Sequence, residues 1–223
     1  MLFNYAIDDP CACSTSLVLI LLVATRSFFG WHTLTTLAIS VMRKQGERGR
    51  GRIIQHSSGF GLFAGPFRAA YCASKHALEA HAQCLRMELS DTDIHVVLLN
   101  TGLIHTAIRE KSRAPFERWV RPLVGCSAWA SFYRAALIPR LFGEYKPDPF
   151  EDEPSAVTAQ VIRALERDSP CARYYVTRLM WALAFLVRLW PSHLMDLFLL
   201  SNSAGVGRAV FKGKDAIHKR LHP

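Results

Sequence analysis

A tyrosine and a lysine four positions apart, Tyr71 and Lys75, form the clearest chemical pattern in this sequence. Residues at this spacing lie on one face of a helix, so both side chains would project in the same direction. Ser58 comes earlier in the chain, at the end of a predicted strand. A tyrosine hydroxyl can give a proton to a carbonyl oxygen, a nearby ammonium stabilises the phenolate that remains, and a serine hydroxyl can hold the oxygen. The three residue types therefore indicate interconversion of a carbonyl and an alcohol.

A tyrosine and a lysine at this spacing also occur by chance on exposed helices, so the surrounding elements decide the interpretation. A glycine-rich loop separates Ser58 from a helix predicted over residues 69–90. A nearly unbroken apolar run over residues 94–99 follows that helix, which is typical of a strand buried on both faces of a parallel sheet. Strand, helix and strand in this order form a βαβ unit, whose ligand crevice lies at the carboxyl ends of the strands.

The remaining elements are predicted from periodicity and from breaker residues. A repeat of apolar residues predicts a helix over residues 27–42, and Pro154 opens another. Residues 173–177 are predicted to form one more strand, followed by one or two helices that break at Pro191. Residues 107–150 mix aromatic residues, arginine and proline without clean periodicity, as expected of a substrate-side insertion.

Length and composition exclude several classes of protein. The chain has 223 residues, half of them hydrophobic, which predicts one globular domain over residues 1–223. The net charge of +9 suits an anionic partner, but the basic loop of residues 42–52 has no interleaved aromatic residues, so nucleic-acid binding is not expected. The six cysteines lack the spacings of a zinc site, so no metal is expected, and reduced thiols in a cytoplasmic protein are the default.

Two apolar stretches, residues 17–24 and 179–187, raise the question of a membrane. Neither reaches the roughly 20 residues that a spanning helix needs. The second stretch lies between Arg178 and Arg188 and has two tryptophans nearby. A core or amphipathic helix is the favoured interpretation, and an interfacial helix in peripheral contact with a membrane is kept as the alternative.

Residues 51–106 resemble the catalytic segment of the short-chain dehydrogenase/reductase family. The resemblance rests on three short motifs, Ser57-Ser58-Gly59, Tyr71-Cys72-Ala73-Ser74-Lys75 and Asn100-Thr101-Gly102. It implies an α/β fold, namely the C-terminal half of a Rossmann-type doubly wound parallel sheet with extra C-terminal helices. The oligomeric state is left open, with a homodimer through the helix predicted over residues 69–90 as one alternative.

The resemblance assigns roles to individual residues. Ser58 would position the substrate oxygen, Tyr71 would be the acid and base, and Lys75 would activate Tyr71 and bind the nicotinamide ribose. Gly102, Ile104 and Thr106 would meet the nicotinamide carboxamide of an NAD or NADP cofactor, with NADP favoured.

The substrate class also follows from the resemblance. Arg86-Met87-Glu88-Leu89 and Arg173-Tyr174-Tyr175-Val176 resemble members of the family that act on hydrophobic alcohols and ketones, including steroid- and retinol-type substrates. A small hydrophobic alcohol or carbonyl compound is therefore the expected substrate.

Several departures from the family pattern bear on activity. Thr101 stands where the family usually has proline, and Ser27 stands where it usually has an asparagine that organises a proton-relay water. Residues 1–26 diverge, with residues 2–6 resembling a degraded Asn-Asn-Ala-Gly motif, before a catalytic part over residues 27–106 and a substrate-side region over 107–223.

No glycine-rich turn of the TGxxxGxG kind occurs in the sequence, and about three βα units are missing by comparison with the family. The expected function is therefore an oxidoreductase whose cofactor binding is impaired in this chain. The alternative is a non-catalytic remnant of such an enzyme.

Overall fold

The computed structural model describes residues 28–65, 68–126, 130–145, 147–148 and 150–202. The main elements follow one another along the chain as α1 (Gly30–Met42), β1 (Arg50–Ser58), α2 (Ala69–Glu88), β2 (Asp93–Thr101), α3 (Pro154–Glu166), β3 (Arg173–Tyr175), α4 (Arg178–Leu189) and α5 (Ser192–Asn202). A chain of short helical segments lies between β2 and α3, at Ile108–Lys111, Arg113–Pro115, Phe116–Val120, Arg121–Cys126, Ala130–Phe132, Tyr133–Leu137 and Ile138–Phe142.

The three strands form one parallel sheet in the order β1-β2-β3. β1 and β2 pair along their whole length, from Arg50 opposite Asp93 to Ser58 opposite Thr101. The two strands therefore end side by side, and their carboxyl ends form one edge of the sheet. β1 is the outer strand of the sheet in the part of the chain that the structure describes.

Helices cover both faces of the sheet. On one face, Val96 and Leu98 of β2 pack with Ala82 and Leu89 of the α2 region. On the other face, Val97 and Leu99 of β2 pack against Ala164 of α3. Because side chains of a strand alternate between the two faces, this arrangement explains the unbroken apolar run in β2. The predicted α/β class with a doubly wound parallel sheet is confirmed.

The predicted helix at residues 27–42 is confirmed by α1, but its apolar face points outward. Leu34, Leu37 and Val41 are 66%, 61% and 61% exposed, whereas Thr35 is buried. Periodicity identifies an apolar face of a helix, but it does not show which surface covers that face. The basic loop after α1 turns at Gly46, where the positive φ of 69° favours glycine.

The region between β2 and α3 has a small core of its own. Phe116, Val120, Val124, Tyr133 and Leu141 pack together away from the sheet. The helical segments among the described residues of this region are all short, which agrees with its lack of periodicity in the sequence.

The two C-terminal helices are separated at Pro191, as the sequence predicts. α4 ends at Leu189 and α5 begins at Ser192, on either side of Pro191. The side chain of Thr177 caps α4 by accepting a hydrogen bond from the backbone N–H of Met180, at 3.2 Å.

No helix among the described residues is long and apolar enough to cross a membrane. The expectations for residues 2–6, 17–24 and Ser27 lie outside the described residues.

Candidate active site

Ser58 lies where β1 ends and the chain turns away from the sheet. Its side chain is almost buried, and its Oγ accepts a hydrogen bond from the backbone N–H of Phe60 at 3.3 Å. The turn passes close under α4, because a Cβ added at Gly59 would lie 2.6 Å from Sδ of Met180. Glycine at this position therefore lets the end of β1 approach α4 closely. Ser58, the last residue of β1, lies at the edge of the sheet beside this contact.

Tyr71 and Lys75 occupy the first two turns of α2 and point to the same side. Nζ of Lys75 lies 5.7 Å from the centroid of the Tyr71 ring. The Tyr71 ring also meets the Phe60 ring edge to face, with 6.2 Å between the centroids. Phe60 thus contacts both Ser58, through its backbone, and Tyr71, through its ring. The structure places the three predicted catalytic residues around the end of β1.

Lys75 is fixed to the strand that carries Ser58. Its Nζ donates a hydrogen bond to the backbone oxygen of His56 at 2.8 Å. Partial burial lowers the pKa of Lys75, and the carboxylate of Glu79 opposes that effect. The pKa of His56 is also lowered, first by burial and then by the positive charge of Lys75. The lowered pKa of His56 favours the neutral imidazole beside the Lys75 ammonium near pH 7.

Thr101, which replaces the proline typical of the family, fastens the ends of the two strands together. Its hydroxyl donates to the backbone oxygen of Ser57 at 3.2 Å, and it lies 3.2 Å from Nε2 of His56. Thr101 therefore joins the two strand ends by a side-chain hydrogen bond that proline could not make at this position.

A buried polar cluster, which we call the polar anchor, lies one helical turn beyond Lys75. It consists of Ser57, Glu79, Asn100 and Arg173. The Ser57 hydroxyl donates to Oε1 of Glu79, and Nδ2 of Asn100 donates to the same oxygen at 2.6 Å. Nη2 of Arg173 lies 3.0 Å from the other carboxylate oxygen.

The polar anchor joins α2 to all three strands. Ser57 belongs to β1, Asn100 to β2 and Arg173 to β3. It therefore fixes the helix that carries Tyr71 and Lys75 against the end of the strand that carries Ser58. Sequence reasoning did not find this cluster, although Glu79 follows Lys75 by one helical turn and so had to lie on the same face.

The predicted cofactor-binding segment follows β2. Gly102 packs against α4, because a Cβ there would lie 2.9 Å from Cγ of Met180. Ile104 is partly buried and forms a parallel bridge with Asp152, whereas Thr106 is exposed. Among the described residues, no hydrogen bond or ion pair joins these three residues to Tyr71 or Lys75. The contribution of Gly102, Ile104 and Thr106 to cofactor binding stays a prediction.

Comparison with known proteins agrees with the fold. The family model for short chain dehydrogenase matches residues 20–116. The uncharacterized oxidoreductase YbbO of Escherichia coli K12 is 35% identical over 173 residues, which is 78% of this chain and 56% of the relative. Dehydrogenase/reductase SDR family member 7B of Rattus norvegicus is 45% identical over 80 residues, 36% of this chain and 24% of the relative.

A solved structure has the same fold. The crystal structure of a short chain dehydrogenase from Burkholderia cenocepacia, in complex with NADP, superposes with a TM-score of 0.52 at 21% sequence identity, covering 78% of this chain and 56% of that chain. The chain belongs to the short-chain dehydrogenase/reductase family. It spans about half the length of the E. coli relative that it matches.

Proposed function

We propose that this chain carries the catalytic centre of an NAD(P)-dependent oxidoreductase that interconverts a hydrophobic alcohol and its ketone or aldehyde. The observation that carries the proposal is the pairing of Tyr71 and Lys75 on α2, 5.7 Å apart from ring centroid to Nζ, next to the strand end that bears Ser58. In this arrangement a proton donor, a cation and a hydroxyl group lie at the carboxyl edge of a parallel sheet, where such sheets bind ligands.

Each of the three residues has a distinct task in the proposed reaction. Ser58 holds the substrate oxygen, and the Tyr71 hydroxyl gives that oxygen its proton during reduction and takes it back during oxidation. The ammonium of Lys75 stabilises the Tyr71 phenolate in both directions, since opposite charges at this separation attract appreciably in a partly buried site.

The surroundings of Ser58 support an apolar substrate. The rings of Phe60 and Phe63 lie 5.4 Å apart beside the turn that follows Ser58, and the side chain of Met180 covers the turn from above. A substrate bound here would leave water and contact aromatic and thioether groups. These contacts favour a hydrophobic alcohol or carbonyl compound.

The residues present fit the nicotinamide end of a dinucleotide. The bridge to Asp152 uses the N–H of His105 and the oxygen of Leu103, so the backbone groups of Ile104 point to the opposite side. When bound, the cofactor would supply the hydride, with Lys75 at its ribose and Ile104 and Thr106 at its carboxamide. NADP is favoured over NAD.

Cofactor affinity in this chain is expected to be low. The printed sequence contains no glycine-rich TGxxxGxG turn to receive the pyrophosphate at a helix N-terminus. Two or three missing charge-assisted hydrogen bonds, at about 1.5–3 kcal/mol each, reduce the affinity by several orders of magnitude. The same feature favours the second candidate function, a non-catalytic protein that keeps the fold and the three residues without turnover.

The two candidates are separated by an activity assay on two forms of the protein. One form is the 223-residue chain, and the other is the same chain fused in frame to glycine-rich strand–turn–helix units of a family member. Reduction of hydrophobic ketones and aldehydes is followed with NADPH and NADH. We expect turnover in the fused form and little or none in the chain alone. A correctly folded fusion that binds cofactor but reduces none of the compounds would support the non-catalytic alternative.

The role of Tyr71 is tested in the fused form. Tyr71→Phe keeps the ring but removes the proton donor, so turnover should fall by about 10²- to 10⁴-fold. Tyr175→Phe removes a hydroxyl from a ring that packs on Trp181, so it is the matched control and should keep wild-type turnover. Equal turnover of the wild-type protein and Tyr71→Phe would refute the assignment.

A further inference from the structure

The outward face of α4 is apolar along its length. Trp181, Phe185 and Leu189 follow one another at intervals of four residues and are 62%, 64% and 62% exposed. Beyond Pro191, two leucines of α5, Leu194 and Leu197, are 43% and 52% exposed. We call Trp181, Phe185, Leu189, Leu194 and Leu197 the α4–α5 face. Several large exposed apolar side chains on two consecutive helices indicate a surface that binds an apolar partner, such as another protein or a membrane.

The opposite side of α4 is firmly packed, so the helix is part of the folded body. Met180, Leu183 and Ala184 are buried, and Met180 packs against the backbone at Gly59 and Gly102. α4 therefore has two apolar sides. One side packs on the protein core, and the exposed residues form the other side, which faces outward.

The charges around this face are mainly basic, and the exposed carboxylate on its helices is Asp196 of α5. Arg178 and Arg188 are both exposed. They lie on the same side of α4 as Trp181 and Phe185, one at each end of the stripe, because positions 178, 181, 185 and 188 follow at intervals of three and four residues. The twelve residues of α4 include no aspartate or glutamate. In the sequence after α5, residues 203–223 contain five lysines and arginines against one aspartate.

The stripe on α4 has a tryptophan, an arginine at each end and no acidic residue. This is the pattern of a helix that lies in the plane of a membrane surface. The apolar side chains enter the boundary between headgroups and acyl chains, while the arginines extend to lipid phosphates. Each basic residue near an anionic leaflet adds attraction.

A second copy of the chain is a poorer occupant of the face. In a two-fold symmetric dimer the same patch lies on both sides of the interface. Antiparallel contact of two α4 helices would bring Arg178 of one copy towards Arg188 of the other. α4 has no carboxylate, and α5 offers one, Asp196, for these two arginines. Like charges that face each other across an interface oppose association.

We propose that the α4–α5 face docks this protein on the surface of an anionic lipid bilayer. Docking there would also bring the catalytic edge of the sheet close to the lipid, because Met180 on the inner side of α4 contacts Gly59, next to Ser58. A hydrophobic alcohol or ketone dissolved in the bilayer could then reach the site from the lipid side. This last step rests on the proposed function, whereas the docking itself does not depend on it.

Vesicle flotation with the 223-residue protein tests the proposal without any activity measurement. The vesicles are made of phosphatidylcholine alone or with about one third phosphatidylserine, at about 0.1 M and about 0.5 M salt. We expect the protein to float with the anionic vesicles at low salt, and to float much less with neutral vesicles or at high salt. Failure to float with anionic vesicles would overturn the proposal.

Variants locate the contact. Trp181→Ser/Phe185→Ser should weaken binding at least tenfold, since two large apolar side chains no longer enter the lipid. Leu34→Ser/Leu37→Ser on α1 removes two side chains of similar exposure and should bind like the wild-type protein. Equal losses in both double variants would refute the assignment to the α4–α5 face.

The arginines give an independent result if the serine variant fails to fold. Arg178→Gln and Arg188→Gln should each weaken binding to anionic vesicles about fivefold, which corresponds to about 1 kcal/mol per basic residue. Unchanged binding in both variants would contradict the proposal. Size-exclusion chromatography supplies a further check, because a dimer that Phe185→Ser dissociates would show that a second copy covers this face instead.

Discussion

Removal of the carboxylate at the centre of the polar anchor should destabilise the fold strongly. The side chain of Glu79 is 8% exposed and that of Arg173 is 20% exposed, with 3.0 Å between their charged atoms. Glu79→Gln keeps an amide oxygen that can still accept hydrogen bonds from Ser57 and Asn100, but it leaves the guanidinium of Arg173 without its opposite charge. Removal of one partner of a buried pair costs about 3–5 kcal/mol. Since Arg173 retains some access to water, we expect a loss of about 2–4 kcal/mol.

Urea denaturation at 25 °C measures this change in the free energy of unfolding. A loss of about 2–4 kcal/mol is a large share of a typical total of about 5–15 kcal/mol, so the midpoint should shift clearly. Glu117→Gln is the matched control, because its exposed pair with Arg121 should contribute no more than about 0.5 kcal/mol.

A double variant separates the charge from the packing. In Glu79→Gln/Arg173→Met the unpaired cation is gone, so part of the stability lost in Glu79→Gln should return. A free energy of unfolding for Glu79→Gln within about 0.5 kcal/mol of the Glu117→Gln value would show that the reasoning about the polar anchor is wrong.

Two further predictions concern the active site and the turn beside it. In a catalytically competent fused form, Lys75→Ala should lower turnover by about 10²-fold, because the site loses the ammonium whose Nζ lies 5.7 Å from the centroid of the Tyr71 ring; unchanged turnover would contradict this role. Gly59→Ala should cost about 1–3 kcal/mol in urea denaturation, because the added Cβ meets the Met180 side chain, and Met180→Ala in the same chain should relieve that clash. If the two substitutions were simply additive, the proposed contact would be refuted.

The elements around the site could be predicted because their signals are local. The end of β1 at Ser58, the helix from Ala69 and the buried strand β2 each follow from residues close together in the chain. The spacing of Tyr71 and Lys75 then places both side chains on one face of α2. The sequence therefore predicts the βαβ unit and the grouping of its polar residues at one edge.

The polar anchor could not be predicted because it is made of residues from four elements. Arg173 is far from Glu79 in the sequence, and only the parallel register of β2 and β3 brings the arginine to the middle of α2. The contact of Met180 with Gly59 likewise depends on how α4 packs over the sheet. Periodicity also failed to show which helix faces would be covered, as the exposed Leu34 and Leu37 of α1 demonstrate.

Saturation-transfer NMR of NADP⁺ with the 223-residue protein tests most directly whether Lys75 belongs to a nicotinamide site. This method detects weak binding and reports which protons of the ligand lie against the protein. We predict stronger saturation of the nicotinamide protons than of the adenine protons, and loss of that signal in Lys75→Ala, because the proposed contacts at Lys75, Ile104 and Thr106 are all with the nicotinamide end. Saturation that is stronger at adenine, or that persists unchanged in Lys75→Ala, would contradict the assignment of this site.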